Sequence, residues 1–159
     1  CVETSPDGDA CDPAWSLNEY GRLYNWYAVD DGRGLCPTGW HVPSDSAWMT
    51  LEMALGMSEE QAGLTGFRGT DEHLQLKTTY GWVDSLNGNN SSGFSALPAG
   101  DRALNGQFYD GGYIAAWWSS SSQESNSWIR YLISTEAGVA REPQAHFWGL
   151  SVRCINDTE

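Results

Sequence analysis

Glycines and large aromatic side chains are both unusually frequent in this chain, and together they restrict its fold. The 159 residues include 18 glycines, 9 tryptophans and 7 tyrosines. Glycines permit tight turns, and a few bulky rings bury enough surface to organise a core. A helical bundle would favour Ala, Leu, Glu and Lys instead, and lysine is scarce here. The composition predicts one loop-rich domain of short strands around a single hydrophobic core.

Acidic residues greatly outnumber basic ones. The 21 Asp and Glu residues against 8 Lys and Arg residues give a formal net charge of −13. Such a surface repels phosphate backbones and anionic lipid, so we expect neither nucleic acid nor a membrane surface as a partner. Because the acidic residues form no single long run, we interpret them as a solvated surface that aids solubility.

The chain contains four cysteines, Cys1, Cys11, Cys36 and Cys154. They form no CxxC pair, and no histidine lies at zinc-finger spacing from any of them. An even set of this kind indicates two disulfides formed in an oxidising compartment. We favour the pairs Cys1–Cys11 and Cys36–Cys154, although the sequence leaves all three connectivities open.

The sequence contains no apolar run of about 18 residues, so we expect a chain that does not span a membrane. Neither an initiator methionine nor a signal peptide is visible, which favours a processed or trimmed chain. With the disulfides, this predicts an extracellular or cell-surface location. A lipid anchor on Cys1 and display on a phage are two ways to reach it.

The chain divides into a lead segment, residues 1–20, and one domain, residues 21–159. The lead is polar and turn-rich, and no internal repeat is evident. Aromatic residues and alternation predict a first strand over residues 22–29. Three further strands are predicted near the end of the chain, over residues 116–120, 127–133 and 149–155. If the first and last strands pair, Cys36 and Cys154 come close together.

Two short helices are predicted between these strands. Ser44 is a suitable N-cap for a helix with one apolar side, and Gly56 ends that helix. Ser58 and Gln61 fit a capping box, and the helix they open ends near Gly63. From there to about residue 100, glycine and asparagine punctuate short segments, which predicts long loops.

Several motifs in this order resemble those of the Fibrobacter succinogenes major paralogous domain family. They are GRLYNWYAV (21–29), LCPTGWHVPS (35–44), FRGTDE (67–72), GFSALPAG (93–100), WWSS (117–120) and SVRC (151–154). The resemblance runs from about Gly21 to Ile155. It implies an α+β, C-type-lectin-like fold with two short helices, a small twisted antiparallel sheet and long loops. It further implies a secreted or surface-anchored bacterial protein without catalytic activity or cofactor.

The fold relatives that this resemblance implies include the variable proteins of diversity-generating retroelements. In some of those proteins a fixed C-terminal frame alternates with positions varied by adenine-directed mutagenesis. The frame positions that this chain keeps are Gly106, Phe108, Trp117, Trp118, Ser119, Ser120, Arg130, Leu132, Val139, Arg141, Gly149, Ser151, Val152, Arg153 and Cys154.

The residues between the frame positions are chemically mixed, and we call them the irregular positions. They are Tyr109, Asp110, Tyr113, Ile114, Ala116, Tyr131, Ile133, Thr135, Glu136, Ala140, Glu142, Gln144, His146 and Trp148. Exposed Tyr, Ile, His and Trp among small and acidic side chains are typical of a binding surface. We therefore predict that these residues contact a protein or glycan ligand.

One observation opposes diversification. Changing only the adenines of an Asn codon cannot produce Glu, Gln or Trp, yet these occupy irregular positions at Glu136, Glu142, Gln144 and Trp148. Either other template codons supplied them or the chain is an ordinary family member. Both alternatives remain open.

No catalytic or metal-binding constellation is evident. His41, His73 and His146 are scattered, and we expect His41 to pack in its connector and His146 to lie on the binding face. Ser119 to Ser122 lacks the G-x-S-x-G turn of a nucleophile elbow. A formylglycine-generating activity would need reactive cysteines, which the disulfides occupy. We therefore expect a protein that is not an enzyme.

Paired carboxylates have simpler explanations than acid–base catalysis. Glu59 and Glu60 lie in the first turn of a predicted helix, where the helix dipole favours negative charge. Asp71 and Glu72 belong to a family motif, so a structural hydrogen-bonding role is predicted for them.

A calcium-dependent lectin is a weaker alternative. Glu142-Pro143-Gln144 and Ile155-Asn156-Asp157 resemble the Glu-Pro-Asn and Trp-Asn-Asp motifs of true lectins. The second triplet, however, follows the last cysteine here, whereas in lectins it precedes it. Another alternative is a structural domain of a surface lipoprotein or adhesin that makes no selective contact.

Frame tryptophans and arginines have predicted structural roles. Adjacent strand residues point to opposite sides, so one of Trp117 and Trp118 should enter the core and the other lie nearer the surface, although both can be packing residues. Arg130, Arg141 and Arg153 are expected to anchor loops through bonds to carbonyl or carboxylate oxygens.

The sequence thus predicts a monomeric recognition module that binds through side chains of residues 107–148. Surface complementarity carries the binding, and a disulfide-closed frame holds the backbone. If the irregular positions are exposed, Trp148→Ala and Tyr131→Ala should leave the melting temperature nearly unchanged.

Overall fold

The protein combines short helices with antiparallel strands in the computed structural model, which describes residues 12–158, and the predicted α+β class is confirmed. The helices are α1 (Pro13–Tyr20), α2 (Trp26–Val29), α3 (Asp45–Ala54), α4 (Glu59–Gly63) and α5 (Glu72–Leu76), with a 3-10 turn at Val83–Ser85. The strands are β1 (Trp40–His41), β2 (Gly66–Arg68), β3 (Asp101–Arg102), β4 (Phe108–Tyr109), β5 (Ile114–Gln123), β6 (Asn126–Ile133), β7 (Val139–Ala145) and β8 (Ile155–Asn156).

Local capping signals begin α3 and α4 where the sequence predicts. The Ser44 hydroxyl accepts a hydrogen bond from the backbone N–H of Ala47 at 3.1 Å. Ser58 and Gln61 form a complete capping box, and α4 ends at Gly63. The two glutamates after Ser58 occupy the first turn of α4, as predicted. Helix α1, by contrast, lies in the lead segment and was not predicted.

The predicted strand over residues 22–29 is wrong. Within it, only Tyr24 pairs, through an isolated antiparallel bridge to Leu150, and α2 begins two residues later. The Asn25 side chain accepts a hydrogen bond from a backbone N–H at 3.2 Å and caps α2. Aromatic residues that favour a strand by propensity therefore lie in a helical turn, which buries the Trp26 ring.

The predicted strand over residues 149–155 is also largely wrong. Successive residues of this segment bridge three different parts of the chain. The bridges are Arg102 with Gly149, Tyr24 with Leu150 and Trp117 with Ser151. Because each residue has a different partner segment, no regular ladder forms until β8, which pairs with β1. The first and last segments of the domain nevertheless meet, as predicted.

The largest sheet has the strand order β2-β7-β6-β5 and is antiparallel throughout. Residues paired across its strands share a face, and successive residues alternate. Its inner face, which packs against α3, carries Arg68, Ala115, Trp117, Arg130, Leu132, Val139 and Arg141. Its outer face carries Phe67, Ile114, Ala116, Trp118, Ile129, Tyr131, Ile133, Ala140, Glu142 and Gln144.

Each face of this sheet has its own hydrophobic cluster. The inner cluster contains Trp48, Leu76, Trp82, Ala96, Ala115, Trp117, Leu132 and Val139. The outer cluster contains Trp26, Ala116, Trp118, Ile129 and Leu150. Trp117 and Trp118 point to opposite faces as predicted, but both are buried, so the expectation that one lies near the surface is wrong. Segments packed on both faces leave neither ring exposed.

The disulfide between Cys36 and Cys154 is present, with a Cα–Cα distance of 5.9 Å. It confirms the predicted closure of the domain. The predicted partners Cys1 and Cys11 lie outside the described residues. Within residues 12–158, no helix is long and apolar enough to cross a membrane.

An ion-pair network lies buried between α3 and the inner face. Glu52 accepts hydrogen bonds from both terminal nitrogens of Arg68 at 2.9 Å and from Arg130 Nε at 2.7 Å. Asp45 accepts from Arg130 Nη1 at 2.8 Å and from Arg141 Nη2 at 2.7 Å. Burial alone would raise the pKa of Asp45, but its bonds to the two arginines hold it below the ordinary value.

The predicted anchoring role of the frame arginines is confirmed. Arg130 and Arg141 tie α3 to β6 and β7 through the carboxylates above. Arg141 also places its guanidinium 3.7 Å from the centre of the Trp128 ring. Arg153 Nη2 donates to the carbonyl oxygen of Phe94, which fastens the end of the chain to the long middle loop.

Glu72 has the structural role predicted for it. It is buried at the start of α5, and its Oε2 accepts a hydrogen bond from the backbone N–H of Thr70 at 2.6 Å. This bond holds the turn between β2 and α5, so the Asp71–Glu72 pair is explained without catalysis.

Candidate ligand-binding face

The irregular and frame positions separate onto opposite faces of the four-stranded sheet. Within β5, β6 and β7, all the irregular positions lie on the outer face. They are Ile114, Ala116, Tyr131, Ile133, Ala140, Glu142 and Gln144. The frame residues of the same strands lie on the inner face, apart from Trp118 and the serines beside the β5 irregularity. The alternation of frame and irregular positions thus corresponds, in these strands, to the two sides of one sheet.

The outer face is half covered. Towards β5, helix α2 and the segment 148–152 pack on it and form the outer cluster around Trp118. Among residues 12–158, no such cover lies on it towards β2 and β7. We call this uncovered part the open half, and it consists of Phe67, Tyr131, Glu142 and Gln144 around the buried Ala140.

An aromatic pair lies at the centre of the open half. The rings of Phe67 and Tyr131 contact edge to face, with centroids 5.4 Å apart. Together they cover Ala140, which lies between them in the sheet register. Burial, and then the nearby negative charge of Glu142, raise the pKa of the Tyr131 hydroxyl. The open half therefore joins two aromatic rings to a carboxylate.

Other irregular positions lie in exposed loops at the sheet margin. Tyr109 is exposed at the end of β4, and Asp110 and Tyr113 are exposed in the segment that joins β4 to β5. The Tyr109 hydroxyl donates to Gln107 at 2.8 Å and accepts from Asn105 at 2.9 Å, so its ring is held in place. Thr135 and Glu136 are exposed in the turn between β6 and β7.

Three predicted contact residues are buried, and their assignment to an exposed surface is wrong. Ala116, Ala140 and His146 are 3%, 0% and 8% exposed. The two alanines do lie on the outer face, but larger neighbours cover them. The His146 ring stacks on Trp26 at 4.2 Å, and its Nε2 forms a 2.9 Å hydrogen bond with Ser127.

The other two histidines also have structural environments. His41, expected to be packed in its connector, is instead exposed, with Nδ1 2.7 Å from the Asp157 carboxylate. His73 is partly buried, and its Nδ1 accepts a hydrogen bond from the backbone N–H of Gly138 at 3.0 Å. Burial is the main reason that the pKa of His73 is lowered.

Trp148 is partly buried, so removing its ring should affect stability more than the sequence predicts. Its ring packs against the outer cluster, as Tyr131 does. We now expect Trp148→Ala to lower the free energy of unfolding by roughly 2 kcal/mol, below the loss for a fully buried ring. Urea unfolding followed by fluorescence measures this loss.

The neighbouring Phe147 provides a matched control for Trp148, because its side chain is 60% exposed. We expect Phe147→Ala to change the free energy of unfolding by less than about 0.5 kcal/mol. Equal losses for the two variants would contradict the packing assigned to Trp148.

Sequence reasoning missed exposed aromatic residues outside the irregular set. Phe67 appears there only as part of a family motif, because the short strand β2 was not predicted. The alternation of Phe67 outward with Arg68 inward was the available signal. Tyr27 and Phe147, whose rings lie 5.9 Å apart beside His146, form a second exposed aromatic pair.

Asp101, at the start of β3, has a strongly perturbed environment. Burial, and then the charge of Asp110, raise its pKa to about 6. Its Oδ1 is buried without a hydrogen-bond partner. In the described part of the chain, His, Cys, Asp and Glu side chains do not gather in threes or more where they could hold a metal ion. The structure thus supplies no metal-ligand set beside Asp101.

The fold and the outer face define a small, disulfide-closed α+β module with one half-open sheet face. The family profile of the Fibrobacter succinogenes major domain matches residues 5–156, nearly the whole chain, and the chain belongs to this family. No curated protein and no solved structure matches it.

Proposed function

We propose that this protein is a non-catalytic ligand-binding module whose protein or glycan ligand contacts the open half of the outer face. The separation of irregular and frame positions onto opposite sheet faces carries the proposal. The inner face, with its ion-pair network and tryptophan core, holds the backbone. Most of the open half can change its side chains with little loss of stability, because only Tyr131 among its four partly or fully exposed residues packs against a hydrophobic cluster.

The absence of catalysis is part of the proposal. The buried carboxylates Asp45 and Glu52 are bonded to arginines, which leaves them poorly placed to transfer a proton. The ring nitrogens His73 Nδ1 and His146 Nε2 form internal hydrogen bonds. Aromatic rings and partly exposed polar groups, as in the open half, are suited to recognition by contact.

We further propose a C-type-lectin-like fold and the role of a retroelement variable protein. In support, the irregular positions alternate along three neighbouring strands and share one face. A genome search tests this role: it should find a reverse transcriptase near the gene and an Asn-rich near-copy of the segment 106–154. If neither is present, diversification is rejected while the binding module stands.

We propose an extracellular or cell-surface location and a monomeric state. The Cys36–Cys154 disulfide is compatible with an oxidising compartment.

A calcium-dependent lectin is a weaker candidate, because Glu142 and Asn156 lie in different sheets. A calcium chelator should therefore change neither the thermal stability nor the binding of any glycan.

A binding screen with two matched variants tests the main proposal. The immobilised protein is screened against glycans and extracellular proteins, and each positive is tested again with Phe67→Ser/Ile133→Ser, which alters the outer face. The control is Leu64→Ser/Leu74→Ser, which alters exposed leucines near α4 and α5. We expect the outer-face variant to lose ligands that the control retains.

Thermal melting of both variants is the control that tests whether they remain folded. If the outer-face variant binds every ligand as the unaltered protein does, the outer face is not the site. The same conclusion follows if the two double variants lose the same ligands.

A further inference from the structure

The basic residues of this protein are almost all engaged in internal contacts. All 8 Lys and Arg residues lie within the described part of the chain. Those directed inward, with partners in the protein, are Arg68, Lys77, Arg130, Arg141 and Arg153. Arg33 pairs with Asp31, and Arg102 lies over the Phe108 ring. The surface is therefore more one-sidedly acidic than the formal charge alone indicates.

The strands β2, β5, β6 and β7 direct no basic side chain to the outer face. In the sheet register, Arg68, Arg130 and Arg141 all point to the inner face, and β5 contains no basic residue. Glu142 points to the outer face, and among residues 12–158 no salt bridge to it is found. A carboxylate thus faces solvent beside an aromatic pair, without a cation of its own.

The sheet register places this carboxylate on the same face as both rings. Glu142 Oε1 lies 3.9 Å from the point that a Cβ on Gly66 would occupy, so it is close to the residue that precedes Phe67. Burial is the main reason that the pKa of the Tyr131 hydroxyl is raised, and the charge of Glu142 raises it further. We call this arrangement of Phe67, Tyr131 and Glu142 the aromatic corner.

We propose that the aromatic corner binds an arginine side chain of a protein partner. This proposal rests on the proposed function and names the ligand chemistry of the same face. A guanidinium is planar, so it can stack on an aromatic ring and at the same time donate hydrogen bonds to a carboxylate. The Phe67 side chain is 38% exposed, so part of its ring is accessible to a cation.

Charge complementarity favours a basic protein over a glycan as the occupant. A net charge of −13 with few free cations attracts a basic partner over a distance of about a Debye length. A sugar would gain nothing from that field.

Titration of the ¹⁵N-labelled protein with acetyl-Gly-Arg-Gly-amide at low salt tests the proposal. The same peptide with citrulline, a neutral isostere of arginine, is the ligand control, and methyl α-D-mannoside represents a glycan. We expect the arginine peptide to shift the amide signals of Phe67, Tyr131 and Glu142 in a saturable way. Citrulline and the mannoside should shift them much less, and added salt should weaken the arginine effect.

Two substitutions separate the aromatic corner from general counter-ion binding. Glu142→Gln should lower the affinity for the arginine peptide by about threefold to tenfold, and Phe67→Leu should lower it by about twofold to fivefold. Glu60→Gln removes the same charge from an exposed site at the start of α4 and should leave the affinity unchanged. Thermal melting of each variant tests whether it remains folded.

Several results would overturn the arginine assignment. The first is that Glu60→Gln and Glu142→Gln lower the affinity for the arginine peptide equally. The second is that the citrulline peptide shifts the amide signals as much as the arginine peptide does. The third is that only the mannoside shifts the signals of the aromatic corner. In the last two cases the outer face still binds a ligand, so the proposed function survives. Loss of the proposed function has a different signature, because screened ligands would then be unaffected by Phe67→Ser/Ile133→Ser.

Discussion

Replacing Arg130 with methionine is expected to lower the free energy of unfolding by about 3–5 kcal/mol. Its guanidinium is completely buried and donates to both Glu52 and Asp45. Methionine matches the aliphatic stem of arginine but has no donor, so both carboxylates would lose bonds in a site that water reaches poorly. Urea unfolding followed by tryptophan fluorescence measures the change.

Two further variants show whether the loss comes from the network. Arg130→Lys keeps the charge but cannot bond both carboxylates in the same way, so we expect an intermediate loss of roughly 1–3 kcal/mol. Arg102→Met removes an exposed guanidinium and should cost less than about 0.5 kcal/mol. If Arg130→Met were as mild as Arg102→Met, the network would not stabilise the domain as its burial indicates.

The same network shows why part of the fold could not be predicted from the sequence. Helix starts at Ser44 and Ser58 depend on contacts within three residues, which local patterns reveal. Glu52, Arg68 and Arg130 meet only after α3, β2 and β6 have come together. The residues of α2 contradict their own strand propensity for a similar reason, because burying Trp26 outweighs a weak local preference.

The sequence showed frame and irregular residues interleaved, but it did not show which irregular residues are exposed. The structure adds that irregular residues of β6 and β7, such as Tyr131 and Ile133, share one sheet face. Whether a residue on that face meets solvent depends on what packs over it, and no local pattern records that. Ala116 is buried because α2 and the segment 148–152 cover the β5 side, and His146 is buried because its ring stacks on Trp26 of α2. Phe67 lies open because that cover stops short of β2.

Removing the disulfide by a Cys36→Ser/Cys154→Ser double substitution is expected to lower the free energy of unfolding by about 4 kcal/mol. The bond joins residues 118 positions apart, so it restricts most of the unfolded chain. For a domain of this size, the loss corresponds to a fall in melting temperature of roughly 10 °C. Differential scanning calorimetry at a fixed protein concentration measures it.

The native contacts beside the disulfide allow its mechanism to be tested as well. Trp40 pairs with Asn156 and His41 with Ile155, so β1 and β8 remain joined after the covalent link is removed. The loss should therefore arise mainly in the unfolded state, which becomes more expanded, and the urea m-value should rise. A fall of less than about 3 °C with an unchanged m-value would mean that the β1–β8 pair, with the packing around it, already supplies the closure.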